Sequence, residues 1–304
     1  MYNIIEIFES SMEHNEPLGT KRKDWFDNYT KLFKIGRVGT LEDCSEKIAY
    51  EIAKLIDLPC ATYEFGRLIQ NDDTQILGII SENFLKKERG ERTLMLGNEF
   101  ISNNINNYDQ NAKYNFKEYE LSRVLELFAN SPHIKGYKDF SSFSVMVGYL
   151  LFDCLIGNTD RHHENWGIII NGDVKIAPTF DHASGLASKI SAENAQKRLN
   201  TKDKNQSPEH FCQRATSAFW QNGKQLKTIE VCQNIYDYCS AHKIEALRDF
   251  GCWIERFCSI NQTQYQKILD NIPKEILITD SQKEFILRVL RSNTQRLKDL
   301  WSKK

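Results

Sequence analysis

Three polar side chains between residues 160 and 181 have the types and spacing that phosphoryl transfer requires. Asn165 follows Asp160 by five residues, and Asp181 follows Asn165 by sixteen. An aspartate in the first position can accept or orient a hydroxyl proton, and an asparagine offers a neutral oxygen to a hard cation. The later carboxylate supplies the charge that holds the metal. The pattern predicts a phosphoryl-transfer centre in which Asn165 and Asp181 bind the metal ion and Asp160 meets the acceptor hydroxyl.

The segments around these residues are of the kind that would position them. Residues 166–170 form a short apolar run, 171–173 read Asn-Gly-Asp, and 174–177 form a returning run, which together predict a β-hairpin that delivers Asp181. Upstream, residues 140–156 are apolar on nearly every side and are followed by Gly157. This pattern predicts a central buried helix with the catalytic loop at its carboxyl end.

Two strings carry a resemblance to a known family. Residues 158–165 read Asn-x-Asp-x-His-x-x-Asn, and residues 176–182 read Ile-Ala-Pro-Thr-Phe-Asp-His. Both strings resemble those of the HipA-like serine/threonine kinases of bacteria. The resemblance implies an α+β, bilobal, protein-kinase-like fold, with a small β-rich lobe over residues 1–85 and a larger helical lobe over 86–304. It also implies ATP and Mg²⁺ as cofactors, and His162 as a residue that braces the catalytic loop.

The same resemblance carries expectations about partners. It implies a protein substrate with a serine or threonine acceptor, and an antitoxin or other regulatory protein as partner, for a chain that acts as a toxin or as an effector. Three departures from the family pattern stand out. Glu164 occupies the place where the family often has lysine, no serine flanks Gly19, and the chain resembles a compact form without the amino-terminal subdomain.

The amino-terminal region contains a candidate phosphate-binding loop. Residues 23–26 and 30–35 have the pattern of a hairpin, preceded by Gly19, Thr20 and Lys21. A loop that covers phosphates needs glycine or exposed backbone amides beside its ligand. The resemblance assigns this role to Gly19, Thr20 and Lys21, whereas a surface hairpin with solvated lysines would explain the residues equally well.

One lysine lies inside an apolar run and requires an anionic partner. Lys34 stands between Phe33 and Ile35, where an amine is costly unless a carboxylate or a phosphate meets it. A helix is predicted from about Asp43, as its amino-terminal cap, to Asp57. At 100° per residue Glu46 falls on the edge of the apolar face of this helix, which indicates that it pairs with Lys34. The alternative is an ordinary solvated glutamate near a helix amino terminus.

Two more strands are predicted, over residues 59–65 and 75–80. The chain then passes to a helix-rich remainder, at the place where kinases bind adenine through backbone groups. The resemblance therefore makes Glu82 and Phe84 the candidate hinge residues.

The remainder of the chain shows less chemistry. Residues 86–115 are polar and predict an exposed loop or insertion, and residues 119–130 predict an amphipathic helix. Residues 209–304 are interpreted as helices, including one over 283–301. A cluster of aromatic residues in this region is interpreted as helical core: Phe219, Trp220, Trp253 and Phe257.

Composition limits the classes of function. The 304 residues include 40 basic and 41 acidic side chains, so that a net charge of −1 gives no field to attract nucleic acid or an anionic membrane. The sequence shows neither a secretion signal nor an apolar stretch long enough to span a membrane. Eight scattered cysteines are typical of reduced thiols, so that a cytoplasmic protein, or an effector secreted without a Sec signal, is expected.

Two other classes of protein remain open. The Asp-Arg-His-x-x-Asn string of residues 160–165 is also similar to that of the phosphatidylinositol kinases, whose metal-binding aspartate likewise follows a hairpin. The absence of a polybasic segment disfavours this alternative. The other is a nucleotide-binding pseudokinase module, which would not need all three metal-site residues.

Overall fold

A computed structural model describes residues 1–16, 22–86, 92–112, 115–242 and 244–302. Strands and helices follow one another along these ranges. The strands are β1 (Ile4–Phe8), β2 (Met12–Asn15), β3 (Lys23–Phe26), β4 (Lys31–Lys34), β5 (Tyr63–Ile69), β6 (Gln75–Glu82), β7 (Thr93–Leu96), β8 (Gly167–Asn171), β9 (Asp173–Ile176), β10 (Thr216–Gln221) and β11 (Lys224–Lys227). The α-helices are α1 (Glu42–Leu55), α2 (Gly97–Asn104), α3 (Leu121–Ala129), α4 (Ser142–Ile156), α5 (Ala192–Asn200), α6 (Pro208–Arg214), α7 (Thr228–His242), α8 (Ile244–Ser259), α9 (Gln262–Asp270) and α10 (Asp280–Trp301).

The first six strands form one sheet in the order β1-β5-β6-β4-β3-β2. Only the β1–β5 pair in this sheet is parallel, and the other neighbours are antiparallel. Tyr63 and Phe65 of β5 are buried together with Ile48, Ala49 and Ile52 of α1. Because these side chains form one core, α1 is fixed against the sheet that carries Lys34.

Helix α1 begins one residue earlier than the sequence predicted, and Asp43 is not its cap. Leu41 occupies the cap position without a side-chain hydrogen bond, and its amide donates to the Ser188 carbonyl at 2.7 Å. Glu42, the first helical residue, instead holds the segment before the helix, because its carboxylate accepts from the amide of Arg37 at 3.0 Å and from the Arg37 guanidinium at 2.6 Å. The helix ends at Leu55 instead of Asp57.

Helix α4 is the centre of the larger helical part, as predicted. Every one of its residues is buried, Ser141 caps its amino terminus, and Gly157 ends it in a left-handed conformation at φ 65°. It packs against α3, α7, α8 and α10. The predicted hairpin after the catalytic loop is also present, since β8 and β9 pair through a turn at Gly172.

Three further sequence interpretations were wrong. The polar segment 86–115 is not merely an exposed loop, because it contains β7, which pairs with β8, and α2, which buries Phe100 and Ile101. The strand predicted over 59–65 begins only at Tyr63. Residues 209–304 are not all helical: β10 and β11 form a hairpin, so that Phe219 is buried core on a strand. Within the described ranges, no helix is long and apolar enough to cross a membrane.

Candidate active site

The catalytic loop between α4 and β8 is closed by its own side chains. The Asn165 amide nitrogen donates to the Asp160 carbonyl at 2.6 Å, and the Asn165 backbone N–H donates to the His162 carbonyl at 2.9 Å. The His162 ring accepts from the Glu164 backbone N–H through Nδ1, at 3.2 Å. Because Nδ2 of Asn165 donates this hydrogen bond, Oδ1 is the side-chain atom that can bind a hard cation.

A buried arginine anchors this loop to α4 and to the segment that follows β9. Nε and Nη2 of Arg161 each donate to Asp153 at 2.8 Å, which makes a bidentate pair. Nη1 donates to the carbonyls of Asn165 and Phe180. Burial alone would lower the pKa of Arg161, but the Asp153 carboxylate outweighs it and raises the pKa further. Arg161 therefore holds both predicted metal-binding segments in place.

Asp181 follows directly after the Phe180 carbonyl that Arg161 holds. Its backbone adopts φ 60°, a left-handed conformation that is uncommon for a residue with a side chain. The amide of Asp181 donates to the Tyr63 hydroxyl at 3.2 Å. The carboxylate of Asp181 and the Oδ1 of Asn165 are hard oxygen donors of the kind that Mg²⁺ takes together with phosphate oxygens, so the residues present fit the metal.

The ion pair predicted between Lys34 and Glu46 is present. Lys34 Nζ lies 3.6 Å from Glu46 Oε1, and the Glu46 side chain is buried. The other oxygen, Oε2, accepts from the backbone N–H of His182 at 2.8 Å and lies 3.7 Å from His182 Nδ1. One carboxylate thus joins the strand lysine to the residue next to Asp181.

Burial and neighbouring charge act in opposite directions on two carboxylates. Burial raises the pKa of Glu46, but the charge of Lys34 and the hydrogen bond from His182 outweigh it and lower the pKa to about 2. The pKa of Asp160 is raised, principally by burial and also by the Asp181 carboxylate, against the opposing effect of His162. The influence of Asp181 on Asp160 shows that the two lie in one electrostatic environment.

The remaining predicted residues stand apart from this cluster. Phe84 stacks on Phe180 at 6.0 Å, and within the described ranges no hydrogen bond reaches the main chain of Phe84. Glu82 ends β6, and both residues line a cavity of about 320 Å³ that neither Asp160 nor Asp181 lines. Their role in adenine binding stays a prediction. The predicted phosphate loop, Gly19, Thr20 and Lys21, lies outside the described residues.

Sequence reasoning missed three residues that shape this site. Asp153 is the buried partner of Arg161, Tyr63 holds the Asp181 amide, and His182 binds Glu46. A signal for Asp153 existed, because an acid inside a fully apolar helix requires a cationic partner. Nothing in the sequence pairs Tyr63 with Asp181, which lies 118 residues further along the chain.

The fold and the site together define a protein-kinase-like architecture. Among solved structures, the chain is similar to the Helicobacter pylori proinflammatory kinase CtkA, with a TM-score of 0.72 at 18% identity over 99% of this chain and 98% of that one. It is also similar to HipA of Shewanella oneidensis MR-1, solved with HipB and operator DNA, with a TM-score of 0.54 at 11% identity. That match covers 93% of this chain and 64% of HipA.

The family follows from the sequence itself. The HipA-like C-terminal domain family matches residues 24–243, which is most of the chain. The chain therefore belongs to the HipA-like C-terminal domain family. No curated protein matches the sequence.

Proposed function

We propose that this chain is an ATP- and Mg²⁺-dependent serine/threonine protein kinase of HipA type. The observation that carries the proposal is the carboxylate of Glu46, which joins Lys34 on the sheet to His182 beside Asp181. A kinase needs the strand lysine and the metal-binding aspartate to be in place together. This carboxylate couples them, and a protein that only bound nucleotide would not require the coupling.

Lys34 and Asp160 would have different roles in transfer of the γ-phosphoryl group. Lys34 would orient the phosphates of ATP, while Asp160 would hold the acceptor hydroxyl in line with the γ-phosphorus. A new bond forms between the hydroxyl oxygen and that phosphorus, the bond to the β–γ bridging oxygen breaks, and ADP leaves. The hydroxyl proton passes to the Asp160 carboxylate, whose raised pKa suits a proton acceptor.

Asn165 and Asp181 would hold Mg²⁺ from opposite ends of the β8–β9 hairpin. When bound, the ion neutralises the charge that develops on the phosphate oxygens. Arg161 fixes the two ligands relative to each other, because it donates to the carbonyl of Asn165 and to the carbonyl of Phe180, immediately before Asp181. Arg161 itself is buried, and its donors are directed to Asp153 and to these two carbonyls, so its role is to position the ligands.

A protein acceptor is favoured over a lipid by the charge of the chain. A net charge of −1 gives the chain no general attraction to anionic membranes. Among the similar structures, CtkA is described as a proinflammatory kinase and HipA as part of a toxin–antitoxin system. We propose by analogy that this chain acts on a protein as a toxin or effector, under the control of a partner protein.

The test is incubation of the purified chain with labelled ATP and Mg²⁺, in parallel with a bacterial cell extract and with phosphoinositide vesicles. We expect label on serine or threonine of extract proteins, and about 10²- to 10⁴-fold slower labelling with Asp160→Asn. Label in lipid would support the phosphatidylinositol-type alternative. ATP binding by calorimetry without transfer to either acceptor would indicate a pseudokinase and contradict the proposal.

A further inference from the structure

A second cavity opens beside the catalytic loop, and no residue of α1 is among its described lining residues. Its volume is about 220 Å³, and its floor includes Thr159, Asp160 and His162. This volume is below the roughly 300–1,000 Å³ typical of sites that enclose a whole small molecule. The cavity therefore suits part of a longer chain, one end of which would meet Asp160.

The walls come from two segments that the kinase-type motifs do not include. One wall is formed by the segment before α3, with Phe116 and Tyr119, and the other by Ala218 and Gln225 of the β10–β11 hairpin. Tyr119 stacks on Phe219 of this hairpin at 4.4 Å, and the Trp220 amide donates to the Tyr119 carbonyl at 3.0 Å. The hairpin is thus fixed against the catalytic loop.

Hydrogen bonds within the protein hold the polar side chains of the two walls in place. The hydroxyl of Tyr119 donates to the Arg161 carbonyl and accepts from Trp166 Nε1, so that both its bonds are made within the protein. Gln225 Nε2 donates to the Ser217 carbonyl at 2.8 Å, which leaves Oε1 as the acceptor of that amide. A peptide N–H is the natural donor to an amide oxygen held in this way.

The charge of the lining argues against an anionic occupant. Among the described residues that line the cavity there is no lysine or arginine, and the titratable side chains are the Asp160 carboxylate and the rings of His162 and His163. A phosphoinositide headgroup would bring several negative charges and would need cationic partners. An uncharged segment of a protein would instead find aromatic surface from Phe116 and a hydrogen-bond acceptor from Gln225.

We propose that this cavity is the acceptor subsite, that it takes a peptide segment with uncharged residues beside the hydroxyl-bearing one, and that Gln225 on the β10–β11 hairpin determines this preference. The inference rests on the proposed kinase function, since Asp160 must be the group that meets the hydroxyl. It goes beyond that function because it assigns the choice of substrate to a hairpin outside the catalytic motifs.

Charge substitutions at Gln225 test the assignment. Serine peptide pools with neutral, acidic or basic neighbours are offered to the wild type, to Gln225→Glu and to Gln225→Lys, with labelled ATP and Mg²⁺. The wild type should prefer the neutral pool. Glutamate should shift the kcat/KM ratio toward the basic pool by about tenfold, and lysine should shift it toward the acidic pool, because one charge pair near a protein surface is worth roughly this much. Opposite shifts cannot arise from impaired folding.

The control is Lys224→Gln, which changes the net charge by the same amount as Gln225→Glu. Lys224 is the adjacent strand residue, faces the other side of β11 and has a side chain that is 68% exposed. This variant should keep the preference of the wild type. Identical preferences in all four proteins, or labelling of phosphatidylinositol phosphate vesicles in place of peptides, would overturn the assignment.

Failure of the proposed function would give a different result. The same peptide pools, labelled with a fluorophore, are titrated into the four proteins without ATP, and binding is followed by anisotropy. Selective binding that depends on Gln225 without any transfer would reject kinase activity and keep the cavity assignment. Transfer accompanied by binding that is indifferent to residue 225 would reject the cavity assignment alone.

Discussion

Replacement of Glu46 by glutamine should destabilise the protein in a manner that depends on pH. The substitution keeps the shape of the side chain and an oxygen that can accept from the His182 amide, but it removes the charge that faces Lys34. Lys34 would then hold a mostly buried amine without its carboxylate partner. Loss of one member of a buried pair typically costs about 3–5 kcal/mol.

The lowered pKa of Glu46 leads to the same expectation and adds its dependence on pH. The pKa falls from its usual 4.5 to about 2 in the folded protein, which corresponds to about 3 kcal/mol of stability. A carboxylate with a lowered folded-state pKa stabilises the protein above its unfolded-state pKa. This contribution is lost as the pH falls from about 4.5 toward 2, because over this range the unfolded chain takes up a proton that the folded protein does not yet bind. Glutamine has no such dependence.

The assay is urea unfolding of the wild type and Glu46→Gln at pH 7 and at pH 3. The difference in unfolding free energy should be about 3 kcal/mol at pH 7 and should become smaller at pH 3. Glu255→Gln, at an exposed position in the carboxyl-terminal half of α8, is the matched control and should change stability by less than about 0.5 kcal/mol. A difference between wild type and Glu46→Gln that is the same at both pH values would refute the reasoning.

Three further substitutions test the centre itself. Asp160→Asn should retain ATP affinity but lower single-turnover transfer by about 10²- to 10⁴-fold, and a loss below about tenfold would contradict a role as base. Asp181→Ala should abolish the Mg²⁺ dependence of ATP binding in calorimetry without a change in the far-UV spectrum, and unchanged affinity would reject it as a metal ligand. Arg161→Lys should lower the unfolding free energy by about 3 kcal/mol, because an ammonium cannot replace the bidentate contact with Asp153; a variant as stable as the wild type would show that the contact is dispensable.

The elements nearest the chemistry were predictable from the sequence because their signals are local. An apolar helix ended by Gly157, and a hairpin with a turn at Gly172, follow from periodicity and turn chemistry over short windows. The pairing of Lys34 with Glu46 was also predictable, because the cost of a buried amine restricts its partner to an anion on the adjacent helix face.

The errors occurred where local and tertiary signals conflict. The β10–β11 hairpin turns at Asn222 and Gly223, a dipeptide that favours such turns. The sequence analysis nevertheless assigned this segment, with the rest of residues 209–304, to helices. Helix α1 lacks a side-chain cap because its cap residue, Leu41, has no hydrogen-bonding side chain, and the Leu41 amide donates to the carbonyl of Ser188, a residue of a distant segment. The sequence contains no information on that contact within any short window.

The backbone around Asp181 shows why the missed residues matter as much as the motif. Three consecutive groups are held by side chains from three different elements: the Phe180 carbonyl by Arg161, the Asp181 amide by Tyr63, and the His182 amide by Glu46. A left-handed conformation at a residue with a side chain costs about 1–2 kcal/mol, and it persists only where the surroundings determine it. The three contacts provide that determination. The contacts come from the catalytic loop, from β5 and from α1. The direction of the Asp181 carboxylate therefore depends on correct placement of both the sheet and the helical part, so that the proposed metal site can form only when the whole fold has assembled.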